Sequence, residues 1–317
     1  MSFVAMMKNH VPVMVRQVLA GLNVRPGGRY VDCTVGAGGH ASAIMDAASP
    51  GGTLVGIDRD PKALDAAHGR LESFGDDVRL VEGNYDEIER ICSELGFAPV
   101  HGVLFDLGMS SLQIEDGERG FSFQREGPLD MRFGPQQELT ADEIVNEYSQ
   151  EDIADVIYRF GEEPKARQIA RRIVQRRPIR TTTELAKVVE EAVGGRARRQ
   201  THPATRTFQA LRIAVNQELL SLETALQQAY GLLGDLGRLV VLSYHSLEDR
   251  LVKEFFRRES RDCICPPRQP VCTCDHMAGL RSVSRGAVRP SVEEVEANPR
   301  SRSARLRVAE RLPAAAV

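Results

Sequence analysis

From Tyr30 to Asp58 the chain carries one continuous pattern. An apolar run, Tyr30-Val31-Asp32-Cys33, leads into a glycine-rich turn, Thr34-Val35-Gly36-Ala37-Gly38-Gly39-His40, and the segment from Gly39 onward reads as a helix. A second apolar run, Thr53-Leu54-Val55-Gly56-Ile57, then ends on Asp58. Strand, tight turn, helix and strand make a βαβ unit, whose parallel strands need cover on both faces. Glycines let backbone amides approach a ligand closely, and a carboxylate at the next strand tip suits ribose hydroxyls. The combination predicts a nucleotide-like ligand without choosing which one.

The rhythm continues with Val78-Arg79-Leu80-Val81 and Gly102-Val103-Leu104-Phe105 as strands three and four, and Asp60-Pro61 as a helix start. After Asp106 it stops. Glu115 to Gln137 is rich in Gly, Pro and charge and reads as an ordered loop or lid. Helical periodicity then covers Ala141–Tyr148, Gln150–Phe160, Pro164–Arg177, Thr183–Val193 and Thr205 onward, with Thr140 and Thr183 as caps. The α/β pattern resumes with a helix over Gln217–Leu233, a buried strand over Gly237–Ser243, a helix over Leu247–Arg258 and a closing strand over Ala304–Glu310. The expected fold class is therefore α/β: a doubly wound, mostly parallel Rossmann-like sheet built from residues 1–114 and 214–317, interrupted by a helical subdomain over 115–213.

The net charge of −3 hides a segregation. Between Arg159 and Arg212 there are fourteen Lys or Arg against five acids, and from Arg250 to the end fourteen against eight, so the remainder carries a deficit of eighteen. Basic surface on an acidic body suits a polyanionic partner such as nucleic acid, although solvated helix faces explain the charge alone equally well. No apolar run approaches the roughly 18 residues that span a bilayer. The start, MSFVAMMKNHVPVM, lacks the charged-then-apolar build of a secretory signal, so a cytoplasmic enzyme without a membrane partner is expected. Cys33 and Cys92 sit in apolar contexts as buried thiols. Cys263, Cys265, Cys272 and Cys274 form two Cys-x-Cys pairs and are candidate zinc ligands, although the one-residue gap is tighter than usual and a surface loop is the plain alternative.

The glycines of Gly36-Ala37-Gly38-Gly39-His40 are bunched, unlike the GxGxxG of dinucleotide sites, which fits a cofactor without a pyrophosphate such as S-adenosyl-L-methionine. Asp58 and Asp106 end strands two and four, and Tyr85, just past strand three, offers a ring to an adenine face. The exit of strand four reads Asp106-Leu107-Gly108, not the Asp/Asn-Pro-Pro-aromatic motif common in amino-methylating enzymes. In the run from His202 to Asn216, Arg206, Phe208, Arg212 and Asn216 offer phosphate donors, a stacking ring and an amide for base edges, with a capped helix and a core Phe208 as the alternative. Ser243-Tyr244-His245-Ser246 gathers polar residues at the exit of the late strand, with His245 a secondary catalytic candidate.

Together these segments resemble one family, the ribosomal RNA small subunit methyltransferase H family. The matching blocks are GAGGH (36–40), GIDRD (56–60), DLGMSS with Gln113, ERGFSF (118–123), GPLDMR (127–132), HPATRTFQALRIAVNQEL (202–219), SYHSLEDR (243–250) and NPRSRSARLRVAER (298–311), in the family's order over nearly the whole chain. The resemblance implies a methyltransferase domain with S-adenosyl-L-methionine held by Gly38, Gly39, His40, Asp58, Tyr85, Asp106 and Gln113. It implies N4-methylation of a P-site cytidine in 16S rRNA of the small ribosomal subunit, with Asp106 the first candidate to accept the amine N–H. The cysteine segment is not inherited from it. The rival expectations are a methyltransferase for DNA cytosine or protein, and a cofactor-binding RNA or ribosome assembly factor without catalysis.

Overall fold

A computed structural model describes residues 12–110, 113, 114, 116–194, 202–266, 269 and 271–313. The amino terminus, Ser111 of the DLGMSS block and the arginines at 196, 198, 199 and 268 lie outside the described residues. The chain divides into two compact units, Met1–Gly108 with Leu219–Val317, and Met109–Glu218.

The first unit holds a seven-stranded sheet: β1 (Arg29–Asp32), β2 (Thr53–Asp58), β3 (Val78–Glu82), β4 (Val100–Asp106), β5 (Leu233–Ser243), β6 (Leu280–Ser282) and β7 (Arg305–Arg311). Its order is β3-β2-β1-β4-β5-β7-β6. The first five strands are parallel, while β7 runs antiparallel between β5 and β6. Alternation along each strand splits the core into two layers. Tyr30, Leu54, Leu104 and Val240 face α1 (Val15–Leu22), α2 (Gly39–Ala48) and α3 (Pro61–Leu71). Val31, Val55, Val103 and Val241 face α4 (Ile88–Glu94), α10 (Glu218–Leu232) and α11 (Ser246–Glu259) on the other side. The chain winds outward from β1 to β3, then returns to place β4 on the far side of β1. That reversal opens a crevice at the carboxyl ends of β1 and β4, where open α/β sheets bind ligands. Residues 260–279, between α11 and β6, carry no helix or strand among those described, and a short α12 (Val292–Ala297) precedes β7.

The second unit is helical: α5 (Ala141–Glu147), α6 (Gln150–Gly161), α7 (Ala166–Gln175), α8 (Thr182–Val193) and α9 (Ala204–Asn216). Thr140 and Thr181 close capping boxes with Glu143 and Glu184, and Ser149 caps α6. The cap of α8 is thus Thr181 and not Thr183. Ile144, Ile153, Ile169, Leu185, Phe208 and Leu211 share one core, into which the preceding loop inserts Phe121, Leu129 and Met131. Within that loop, Pro128 bridges Thr181, and the single 3₁₀ turn is Gly117–Arg119. From Thr207 onward helix α9 is largely buried, so Thr207, Arg212 and Asn216 also face inward.

Candidate active site

The turn after β1 is shaped by backbone conformation before any side chain acts. Gly38 caps α2 with φ 78°, and a Cβ there would press on Leu71 at 3.2 Å. At Gly39 a Cβ would collide with Pro12 at 2.5 Å. Asp58 locks the turn from the neighbouring strand: Gly36 N–H donates to its Oδ2 and Asp60 N–H to its Oδ1, each at 2.9 Å. A carboxylate oxygen has two lone pairs, so both oxygens retain capacity for ligand hydroxyls. Asp60 in turn caps α3, accepting from Lys62 N–H, with Pro61 in the first turn.

The ends of three strands, β1, β4 and β5, meet at Asp106. Its N–H donates to Thr34 Oγ1 at 2.7 Å, tying the exit of β4 to the turn after β1. Tyr244, directly after β5, donates its hydroxyl to Asp106 Oδ1 at 2.7 Å, and His40 Nε2 lies 3.4 Å from Oδ2. His40 is nearly buried while Asp106 keeps 24% side-chain exposure, so the carboxylate is the face that the site presents. Asp32, at the end of β1, is 1% exposed and accepts from Thr34 N–H through Oδ1. Among the described residues its Oδ2 has no hydrogen-bond partner, and neither have His40 Nδ1 and Nε2.

Burial dominates the electrostatics. It pushes the Asp32 carboxyl up to about 7, against the opposing pull of His40 and the Thr34 N–H, and lifts Asp58 to about 6 although the Asp60 and Gly36 amides resist. For His40, burial works against the charged form, but the Asp106 carboxylate and then Asp32 outweigh it and raise the imidazole above its ordinary value. Tyr244 is held well above the usual phenol range by burial and by Asp106. The site is thus a cluster of carboxylates with one imidazole among them. It suits a cationic ligand and repels a pyrophosphate.

On the β3 side, the Tyr85 ring stands edge-on to Phe105 with centroids 5.8 Å apart, and Arg59 lies 5.7 Å above it. Asn84 Nδ2 donates to Ser221 Oγ, which donates to Asp86. Asn84 Oδ1 is buried and has no partner. Two buried acceptors, Asp32 Oδ2 and Asn84 Oδ1, therefore lack donors among the described residues. S-adenosyl-L-methionine offers ammonium, amine and hydroxyl donors together with a positive sulfonium, so this donor-poor, anionic cradle fits it.

A family model described as the MraW methylase family matches residues 7–312. The chain belongs to this family. A protein named ribosomal RNA small subunit methyltransferase H from Dehalococcoides mccartyi is 58% identical over 303 residues, covering 96% of this chain and 86% of that protein. Proteins of the same name from Thermomicrobium roseum and Brevibacillus brevis are 52% and 49% identical, each over 96% of this chain and over 94% and 98% of their own lengths.

In this MraW methylase the first unit gathers Gly38, Gly39, His40, Asp58, Tyr85 and Asp106 at one edge of its sheet, with Asp32, Thr34 and Tyr244 as partners that sequence reasoning passed over. An acid ending a fully buried strand, and a tyrosine one residue past the β5 exit, were the signals for Asp32 and Tyr244. Gln113 belongs to the second unit, where its Oε1 accepts from Ser110 N–H and its N–H donates to Ser110 Oγ. His245 caps α11 in a capping box with Glu248, and its Nε2 lies 3.1 Å from Glu248 Oε1, so its visible work is structural.

The nucleic-acid expectation for α9 requires correction. Arg212 is 8% exposed and makes a bidentate pair with Glu218 at 2.7 and 2.8 Å. Asn216 is 1% exposed; it donates to Met131 and Arg212 carbonyls and accepts from Phe133 N–H. Phe208 lies in the core of the second unit, edge-on to Phe123. Side chains so enclosed cannot meet a base or phosphate. His202 stacks on Phe123 at 4.4 Å and pairs with Glu190 at 2.7 Å. Of the five, Arg206 is the exposed one, near Glu163 and donating to the Glu162 carbonyl. Exposed basic residues of the second unit include Lys165, Arg167, Arg171 and Arg176 on and beside α7, Arg180 after it and Lys187 on α8.

Proposed function

We propose that this protein methylates the exocyclic N4 of a P-site cytidine in 16S rRNA of the small ribosomal subunit. The observation that carries the reading is Asp106: a strand-end carboxylate, partly exposed, with one oxygen held by Tyr244, its amide held by Thr34, and His40 Nε2 3.4 Å from the other oxygen. Family membership and relatives named for ribosomal RNA support the substrate class.

Bound S-adenosyl-L-methionine supplies a methyl group made electrophilic by its sulfonium. Gly38, Gly39 and His40 line its approach, Asp58 suits its ribose hydroxyls, Tyr85 its purine face, and Asp32 and Asp106 its positive charge. The N4 of cytidine is a weak nucleophile because its lone pair is delocalised into the ring. Asp106 accepts an N–H of that amine, which aims the lone pair and gives the departing proton a carboxylate to leave through. Tyr244 fixes the carboxylate through its hydrogen bond, with His40 beside it as a nearby charge, so that this alignment needs little reorganisation. The target base leaves its stack to reach such a strand-edge site. The exposed Lys165, Arg167, Arg171, Arg176, Arg180 and Lys187 of the second unit grip phosphates, which makes binding salt-dependent.

The test is transfer of labelled methyl to small ribosomal subunits from cells lacking the gene, with the modified nucleotide mapped by mass spectrometry. Label on cytidine N4 is expected. Cofactor binding without transfer to rRNA would support the assembly-factor reading, and label in DNA or protein the alternative substrates.

A further inference from the structure

The segment between α11 and β6 lacks the ordinary means of holding a shape. Residues 260–279 contain no helix or strand among those described, a length at which structureless loops in compact domains are uncommon. Its apolar side chains face solvent: Ile264 is 40% exposed, Val271 69% and Met277 75%. Among the described residues no hydrophobic cluster therefore anchors it. Its base is closed by Gly279 N–H donating to the Glu259 carbonyl at 2.9 Å, and Ala278 N–H donates to Asp262. Between these ends the loop folds its two Cys-x-Cys pairs onto each other. The sulfurs of Cys263, Cys265, Cys272 and Cys274 all lie within 4.8 Å of one another.

Their spacing decides between the two things that four cysteines can do. Sγ–Sγ distances are 4.0 Å for Cys265–Cys272, 3.6 Å for Cys272–Cys274 and 3.8 Å for Cys274–Cys263. Disulfide sulfurs sit about 2 Å apart, and all four thiols are unbridged. Four thiolates around zinc at about 2.3 Å form a tetrahedron whose edges are about 3.8 Å, the spacing found here. Backbone amides complete the pattern. Ile264 N–H points to Cys274 Sγ at 3.4 Å and Thr273 N–H to Cys265 Sγ at 3.5 Å, each crossing from one pair to the other. Such donors stabilise sulfurs as thiolates and orient them, the usual office of the groups around metal ligands.

We propose that Cys263, Cys265, Cys272 and Cys274 form a structural zinc site that staples the loop between α11 and β6. Four protein ligands close the coordination sphere, leaving no position for water or substrate, so the site is structural and takes no part in methyl transfer. Binding releases the thiol protons to solvent as the four sulfurs coordinate.

The experiment uses the full-length protein purified in reducing buffer without chelator. Elemental analysis should find one zinc per chain. Exchange into cobalt should produce the intense visible bands of tetrahedral cobalt together with sulfur-to-metal charge transfer. The double substitution Cys272→Ser with Cys274→Ser should lose the stoichiometric zinc while keeping cofactor binding by calorimetry. Should that variant fold poorly, wild-type protein stripped and titrated with cobalt still decides the matter. A reduced, folded protein that holds no zinc and gives no thiolate–cobalt spectrum overturns the proposal. So does an intact mass showing the hydrogen loss of disulfides in protein handled without oxidant.

Discussion

Replacing Asp32 by Asn should make the cofactor-free protein more stable, and only at neutral or alkaline pH. The carboxyl is 1% exposed, one oxygen accepts from Thr34 N–H, and the other has no partner. Burial lifts it from 3.8 to about 7. A lift of roughly 3 units corresponds to about 4 kcal/mol at full ionisation. That lift is already net of the pull of His40 and of the Thr34 N–H, so an amide that keeps the bond to Thr34 gains about 4 kcal/mol, or about 8–16 °C in a domain of this size. The sign follows from linkage. The folded state holds the Asp32 proton more tightly than the unfolded state, so wild-type stability falls as pH rises from about 4 to about 7, and the penalty is complete above that. Thermal melts of cofactor-free protein from pH 5 to 8.5 should show the two proteins converging at the acid end and the variant ahead at the alkaline end. A variant less stable at pH 8, or an advantage independent of pH, would refute the claim that the native site holds an uncompensated carboxylate. Calorimetry on the same variant should show weakened cofactor binding, because the donor-poor acceptor is gone.

The other expectations are more local. Cofactor affinity should fall as pH drops through about 6, where Asp58 protonates and its oxygens stop accepting from ribose hydroxyls; a flat calorimetric profile between pH 5 and 7.5 removes Asp58 from the site. Tyr244→Phe deletes the donor to Asp106 Oδ1 and should slow single-turnover methyl transfer by roughly tenfold, about the worth of one hydrogen bond to a charged group, with the melting temperature unchanged. Arg212→Ala takes away the bidentate partner of buried Glu218 and should destabilise the second unit by about 3–5 kcal/mol. Its RNA binding should be restored by Arg212→Leu with Glu218→Leu, which a direct phosphate contact would not permit. Arg167→Glu with Arg171→Glu should instead weaken RNA binding at every sequence and flatten its salt dependence by about two phosphate contacts, leaving stability within a few tenths of a kcal/mol.

How much of this was legible in the sequence depended on the kind of signal. The parallel strands announced themselves because Val31, Val55, Val103 and Val241 lie in short apolar runs buried on both faces. The carboxyl edge followed, since Asp58, Tyr85 and Asp106 are each placed by the strand before them. The three-residue β6 and the short α12 carry too few side chains for any period to emerge, and α1 was hidden by its place before the first strand. Partnership was the other gap. Asp32, Thr34 and Tyr244 meet Asp106 only because β1, β4 and β5 are neighbours in the sheet, which local sequence does not encode. The same blindness misread α9. A helix carrying Arg206, Phe208, Arg212 and Asn216 looks exposed and functional until it proves largely buried in its unit, with Arg212 and Asn216 bonded inside.

The division of the chain also fixes an order of events during synthesis. Strand β4 ends at Asp106, its outer neighbour β5 begins at Leu233, and the helical unit between them is one contiguous stretch. At about 5–20 residues per second, roughly 6 to 25 seconds separate the emergence of the two strands from the ribosome. Throughout that interval β1 to β4 can pair, while the open edge of β4 presents unpaired amides and carbonyls to whatever is nearby. The helical unit, made of local contacts, completes before β5 exists. The half-built sheet is then the most vulnerable species in the life of this protein, and a chaperone that shields nascent strand edges has most to do between residues 106 and 243.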